Sequence, residues 1–181
     1  MTKTKSLRLA AISLVAGLLQ SCTGTPDGVE VVTDFELDRY LGTWYEIARL
    51  DHSFERGLSN VTANYSMRDD GGVKVVNRGF DTKKSAWDEA TGKAYFVAET
   101  DIGQLKVSFF GPFYGGYNIV ELDDSGYQYS LVAGPDRSYL WILSRTPQMD
   151  STQLQQLIAK ANALGFPTNE LIMVEQSTPE Q

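Results

Sequence analysis

From residue 43 onward, apolar and polar side chains alternate in short runs. Thr43–Leu50 alternates with period two, the spacing of a half-buried β-strand. Trp44, Glu46 and Ala48 then share one face, and Thr43, Tyr45 and Ile47 the other. Similar runs follow at Val61–Met67, Val73–Phe80, Lys93–Glu99, Leu105–Phe110, Tyr117–Leu122, Tyr127–Ala133 and Leu140–Arg145. Asp69-Asp70-Gly71-Gly72 and Asp123-Asp124-Ser125-Gly126 are hairpin turn sequences, and a longer charged connection spans Asp81–Gly92. Eight short strands with mostly tight connections predict an all-β fold: an antiparallel up-and-down β-barrel wide enough for one small ligand.

Two helical patterns flank the strands. Phe35, Leu37, Tyr40 and Leu41 put an apolar stripe on one helical turn, and Gly42 stands where the chain must turn sharply into the first strand. After the eighth strand, Ser151–Leu164 reads as a helix capped by Asp150 or Ser151, with Leu154, Leu157, Ile158 and Ala161 on its apolar face. Gly165 ends it, and Leu171–Val174 is a short extra strand at an edge. Residues 34–176 therefore form one domain, followed by a frayed tail at 177–181.

The amino-terminal residues have a different character. Lys3, Lys5 and Arg8 precede the apolar run Leu9–Leu19, which is too short for a transmembrane helix and reads as an export segment over residues 1–21. Leu19-Gln20-Ser21-Cys22 resembles the processing site of bacterial lipoproteins. That resemblance implies that Cys22 carries the lipid, and Thr23 after it, rather than Asp, implies sorting to the outer membrane. The domain is expected on the periplasmic side. Residues 22–33, broken by Gly24, Pro26 and Gly28, read as a lipidated tether between membrane and domain.

Charge and composition narrow the chemistry. The chain has 181 residues and a net charge of −7; without residues 1–21, 13 Lys and Arg face 23 Asp and Glu, giving −10. Such a surface argues against a nucleic-acid partner. The single cysteine allows no internal disulfide, and the single histidine, His52, allows no multi-histidine metal site. No cofactor is implied, since a haem would need an inward axial ligand that only His52 could offer.

The run GTWYEIAR at 42–49 resembles the first signature motif of the lipocalins, AGPDRSY at 133–139 the second, and WILSRTP at 141–147 the third. FFGPFYGGYN at 109–118 brings the chain closest to the bacterial outer-membrane lipoprotein lipocalins. The resemblance covers roughly Asp34 to Gln176. It implies that Trp44 and Arg145 pack together, guanidinium over indole beside Gly42, and plug the base of the barrel. The opposite end is then the mouth. It carries the loops Asp51–Ser59, Asp81–Gly92, Gly111–Gly116 and Gly134–Ser138, with Phe54, Trp87, Phe113 and Tyr114 among their charges.

Alternation proposes the lumen residues: Glu46 and Ala48; Ala63, Tyr65 and Met67; Val75 and Asn77; Leu105, Val107 and Phe109; Tyr117 and Ile119; Trp141 and Leu143. Of these, Tyr65, Asn77, Leu105, Val107, Phe109, Tyr117, Ile119 and Trp141 are the candidate ligand contacts. Phe109, Tyr117 and Trp141 are expected near the mouth. Lys106 and Ser108 should face water. The seventh strand turns in either Tyr129 and Leu131 or Ser130 and Val132. Glu46 is either solvated beside a wet cavity or buried with a raised pKa, with Tyr65, Asn77 or Tyr117 as partners. The leading expectation is an envelope carrier or scavenger of fatty acids or lysophospholipids, with no catalytic residues. A structural lipoprotein with a filled barrel and an enzyme on the same fold are the alternatives, and pairing of two copies into a homodimer is left open.

Overall fold

The computed structural model describes residues 23–177. The export segment 1–21, Cys22 and residues 178–181 of the expected tail lie outside the described residues. A helical turn, α1 (Leu37–Tyr40), leads into β1 (Gly42–Arg49), β2 (Leu58–Met67), β3 (Val73–Asp81) and β4 (Ala86–Phe96). Then come β5 (Gln104–Ser108), β6 (Gly115–Leu122), β7 (Tyr129–Ala133) and β8 (Leu140–Ser144). Helix α2 (Ser151–Ala163), a 3-10 turn (Thr168–Glu170) and β9 (Ile172–Met173) complete the chain. Each of β1 to β8 pairs antiparallel with its sequence neighbours, and β1 pairs with both β8 and β2, so the barrel is closed. The fold is the one the alternation predicts.

The largest departure is β4, which begins at Ala86 rather than Lys93. The β3–β4 ladder runs unbroken from Val73 opposite Ala94 to Asp81 opposite Ala86. Residues Ala86–Thr91 are exposed on both faces, so their polar sequence reads as a loop although the backbone is paired. Cross-strand contacts hold this extension: Phe80 meets Trp87 edge to face at 5.5 Å, and the Arg78 guanidinium lies 3.9 Å from the Trp87 ring centre. Trp87 therefore sits on the outer wall and not in the lumen. Asp81 Oδ1 closes the turn by accepting from the Lys83 and Lys84 amides.

The segment expected to be a tether is instead docked on the barrel. Asn118 Nδ2 donates to Gly24 O at 2.9 Å, and Arg137 Nη2 donates to Asp27 O at 2.7 Å. Val29 is buried beneath α2, Val32 exchanges backbone bonds with Ile119 and Gly103, and the Phe35 amide donates to Asp101 O. The chain thus starts at the mouth, runs down the outer wall and crosses under the base through α1.

Helix α2 is capped as expected, with Asp150 Oδ1 accepting from the Thr152 and Gln153 amides. It buries Leu157 and Ala161 against Ala48, Leu131, Ala133 and Ile142 on the outside of the barrel. A side chain like Leu157 gains about 1.5–3 kcal/mol from that burial. Ala48 is thereby corrected from the lumen to the outer wall. The register of β1 against β8 shifts between Glu46 and Ala48, and this bulge reverses the alternation above it.

Barrel closure has two parts. β1 pairs with β2 only over Gly42–Tyr45, while its upper half, Ala48 and Arg49, pairs with β9. At the point of divergence Gln176 Nε2 donates to Glu46 O at 2.8 Å and to Val61 O at 2.9 Å. The Asn60 amide donates to Glu175 O at 2.7 Å just above.

The base plug forms as the motifs imply. The Arg145 guanidinium carbon lies 3.9 Å from the Trp44 ring centre. Its nitrogens donate to Arg39 O at 2.6 Å, Thr43 O at 3.0 Å and Tyr127 O at 3.1 Å. Gly42 has a φ of 93°, and a Cβ there would lie 3.5 Å from Arg145 Nη1, so the positive φ rather than space is what favours glycine. Arg145→Ala is expected to cost about 2 kcal/mol, a fall of roughly 4–8 °C in Tm for a domain of this size. Thermal unfolding followed by circular dichroism checks it, and an unchanged melting curve contradicts the plug.

Candidate ligand-binding site

The floor of the lumen is a layer of tyrosines resting on the plug. Trp44 is fully buried, and its Nε1 donates to Tyr40 O at 2.8 Å. The Tyr40 and Tyr65 hydroxyls each meet the Tyr117 hydroxyl, at 2.8 and 2.9 Å, and Tyr40 reaches Ser130 Oγ at 3.4 Å. Burial pushes the Tyr40 pKa up to about 12 and raises those of Tyr65 and Tyr117 as well, so all three are neutral phenols. Ser130 and Val132 are thus the inward pair of β7, while Tyr129 and Leu131 pack toward α2.

Tyr117 was expected near the mouth. It lies opposite Leu105 instead, low in the barrel, because β5 is short and the β5–β6 loop takes up the residues above. Leu105, Ile119 and Tyr65 are buried in this lower packing. Met67, at the base end of β2, is exposed, so the lumen ends above it. Ser108 is buried rather than wet, and its hydroxyl has no partner among the described residues.

Above the floor the inward positions are not fully covered. Ala63, Asn77, Val107, Phe109 and Trp141 all belong to inward positions, yet each keeps part of its surface accessible. A filled core would cover them as it covers Leu143 and Val132. Asn77 also holds a buried Oδ1 without a partner among the described residues. Two clefts of about 460 and 270 Å³ lie elsewhere, along the outer wall beside Met149 and α2, and are not continuous with these residues.

A polar cluster lies under the mouth. The β1 bulge turns Arg49 inward, where Nη1 donates to Glu46 Oε1 at 2.6 Å and Nη2 to Glu55 O at 2.8 Å. Arg49, and not Tyr65, Asn77 or Tyr117, is therefore the partner of Glu46. Glu46 and Glu55 are both buried, each bonded to Arg49, Glu46 through its carboxyl and Glu55 through its backbone carbonyl. Burial raises both pKa values, Glu46 well above the usual range. Burial disfavours two negative charges here, and the Arg49 guanidinium offsets one of them.

His52 folds into the same region from the β1–β2 loop. It stacks on Phe54 at 4.1 Å between ring centres and tilts against Trp141 at 5.0 Å, while Trp141 Nε1 donates to Glu55 Oε2 at 3.1 Å. Burial, reinforced by the Arg49 guanidinium, lowers the His52 pKa to about 4. Its Nε2 stands 3.3 Å from Glu55 Oε2, but with the imidazole neutral this is no ion pair. Alternation could not have found Arg49, Glu55 or Tyr40. Arg49 points outward on a regular strand, and Glu55 lies in a loop. The available hint was Glu46 itself, a carboxylate on an inward position that calls for a nearby cation.

The depressed His52 pKa has a defined consequence. The unfolded chain binds the proton below about pH 6.5 and the folded chain only below about pH 4, so stability falls as pH drops through that window. The His52 contribution is on the order of 3 kcal/mol. His52→Phe removes it, so the gap in unfolding free energy between wild type and variant should shift in the variant's favour by that order between pH 7 and pH 4. Urea unfolding at both pH values measures the gap, and a pH-independent gap contradicts a buried neutral imidazole.

Comparison with known proteins agrees with this geometry. The lipocalin-like domain family matches residues 35–176. Outer membrane lipoprotein Blc of Vibrio cholerae is 54% identical over 170 residues, covering 94% of this chain and 99% of that protein. The protein of the same name from Escherichia coli K12 is 52% identical, covering 94% and 97%. Temperature-induced lipocalin-1 of Arabidopsis thaliana is 36% identical over 84% of this chain and 86% of its own. Among solved structures, insecticyanin from the tobacco hornworm Manduca sexta superimposes with a TM-score of 0.66 at 20% identity, covering 85% of this chain and 87% of that one. The cockroach allergen Per a 4 gives 0.66 at 23%, covering 86% and 96%, and both likenesses speak for the fold alone. With its three signature runs, its closed eight-stranded barrel and its Trp44–Arg145 base, the chain belongs to the lipocalin family.

Proposed function

We propose that the protein is a lipid-anchored lipocalin of the bacterial outer membrane that carries fatty acids or lysophospholipids in its barrel. The carrying observation is the set of inward side chains, Val107, Phe109 and Trp141, that stay accessible above a closed floor. Such a lumen suits an acyl chain, whose dozen or so buried methylenes gain on the order of 10 kcal/mol before ordering costs. The cluster of Arg49, Glu46, Glu55 and His52 gives the upper lumen polar groups to face a head group. Amphipathic lipids match that division, with tail below and head above.

The anchor rests on Leu19-Gln20-Ser21-Cys22 behind an apolar run, and on the relatives named as outer membrane lipoproteins. Three acyl chains at about 0.8 kcal/mol per buried methylene make such an attachment effectively permanent. Wild-type cells should incorporate labelled palmitate into this chain, and Cys22→Ala should abolish the label. A wild-type chain that takes up none overturns the anchor.

Ligand entry is read by fluorescence. A C16–C18 fatty acid or lysolipid should change the tryptophan emission, and Trp141→Phe should remove most of the change, because Trp44 is sealed beneath the tyrosine floor and Trp87 lies outside. Val107→Glu should weaken binding by a few kcal/mol through an unpaired carboxylate against the tail. Tyr117 is unsuitable for this test, since its hydroxyl joins the floor. If Val107→Glu binds the lipid as well as wild type, the ligand does not enter the barrel, and a structural role moves ahead.

A further inference from the structure

The described chain begins at the mouth. Gly24 is fixed there by Asn118 Nδ2, which donates to its carbonyl and to that of Gly134, in the loop after β7. The contact is close: a Cβ on Gly116, at the start of β6, would fall 2.8 Å from Gly24 O. Asp27 is held at the same end by Arg137 of the β7–β8 loop. Cys22 precedes Gly24 by two residues, which span at most about 7 Å of extended backbone. An acyl group on Cys22 is therefore attached beside the barrel's opening, with almost no slack.

The same end carries large exposed apolar side chains. Phe54 is 59% exposed, Phe110 81% and Phe113 78%, on the β1–β2 and β5–β6 loops. The Phe113 amide donates to Phe110 O, so these two share one loop tip. Several of the charges around them are paired, Arg56 with Asp51 and Lys84 with Asp81 and Asp88, while Arg137 is spent on backbone carbonyls. At the other end Asp69, Asp70, Glu99, Asp101, Asp123 and Asp124 cluster on the base turns, and the exposed apolar residues there are Met67 and Val97. One pole is thus aromatic, with charges of both signs around it. The other is acidic and disfavoured near anionic head groups.

We propose that the mouth of the barrel faces the membrane that holds the anchor, with Phe54, Phe110 and Phe113 seated in its interfacial layer and the acidic base directed into the periplasm. This deepens the carrier reading and rests on the Cys22 anchor. Lipid then passes between bilayer and lumen without crossing bulk water, because the opening and the acyl chains lie in the same layer. Isolated exposed aromatics need no explanation, but three on the rim beside the attachment point form a surface for lipid.

The test uses the lipidated full-length chain, bound to vesicles of phosphatidylethanolamine and phosphatidylglycerol. Acylation consumes the thiol of Cys22, the single native cysteine, so Phe113→Cys and Asp69→Cys each accept one environment-sensitive fluorophore. Some of the vesicles carry lipids spin-labelled high on the acyl chain. The label at position 113 should shift to the blue and lose most of its emission to the spin-labelled lipid, while the label at 69 stays water-like and unquenched. Protein that floats with the vesicles but keeps a water-like label at 113 overturns the orientation and leaves the anchor standing. A blue-shifted but unquenched label at 113 also overturns it, since a second copy then covers the rim. Protein that does not float overturns the anchor and the orientation together.

Discussion

Everything above the floor depends on one contact, the Arg145 guanidinium over Trp44. It is a cation on an aromatic face, and the same cation donates to backbone carbonyls of Arg39, Thr43 and Tyr127. One side chain therefore ties α1, the first strand and the chain entering the seventh strand to the end of the eighth. The indole it covers carries Tyr40 through Nε1, and Tyr40 carries the hydroxyl layer. A lumen with one opening exists because its other end is sealed by this short stack. Arg145 is only partly buried, so its charge remains hydrated on one side and the desolvation cost stays moderate.

The polar groups at the upper end follow a different logic. Buried carboxyls are expensive unless neutralised, and here neutrality is reached in two ways. Arg49 balances one charge of the Glu46–Glu55 pair, and burial, which raises the pKa of both carboxyls, disfavours the other. His52 stays uncharged beside them because burial and the same guanidinium oppose its protonation. The cluster can therefore stand next to an apolar chamber without flooding it.

Much of this architecture was legible in the sequence. The barrel, the plug and the terminal helix could be read because they follow regular periods or short motifs. Trp44 and Arg145 carry residue identities that few other roles demand in those positions. The misreadings share a cause, which is local departure from a period. The bulge between Glu46 and Ala48 exchanged Ala48 for Arg49, and no pattern of alternation encodes a bulge. β4 was shortened because its upper part is wet on both faces and so lacks the contrast that alternation needs. Tyr117 was placed too high because strand order gives direction but not the relative lengths of neighbouring strands. The glycines and proline of 23–33 make it read as a linker, whereas buried Val29 and partly buried Val32, with Phe35 just after it, are what fasten it.

The seam between β1 and β2 bears on how the molecule comes into being. Its lower half is closed by the two strands themselves, but its upper half is bridged by Gln176, which joins Glu46 across 130 residues of sequence. The upper seam cannot complete its hydrogen bonds until residue 176 is present. A chain emerging amino-terminus first would hold an open, unpaired edge throughout its synthesis or export. Closure of the upper seam is thus among the last pairings that a chain made amino-terminus first can form, long after the β1–β2 hairpin below it is complete.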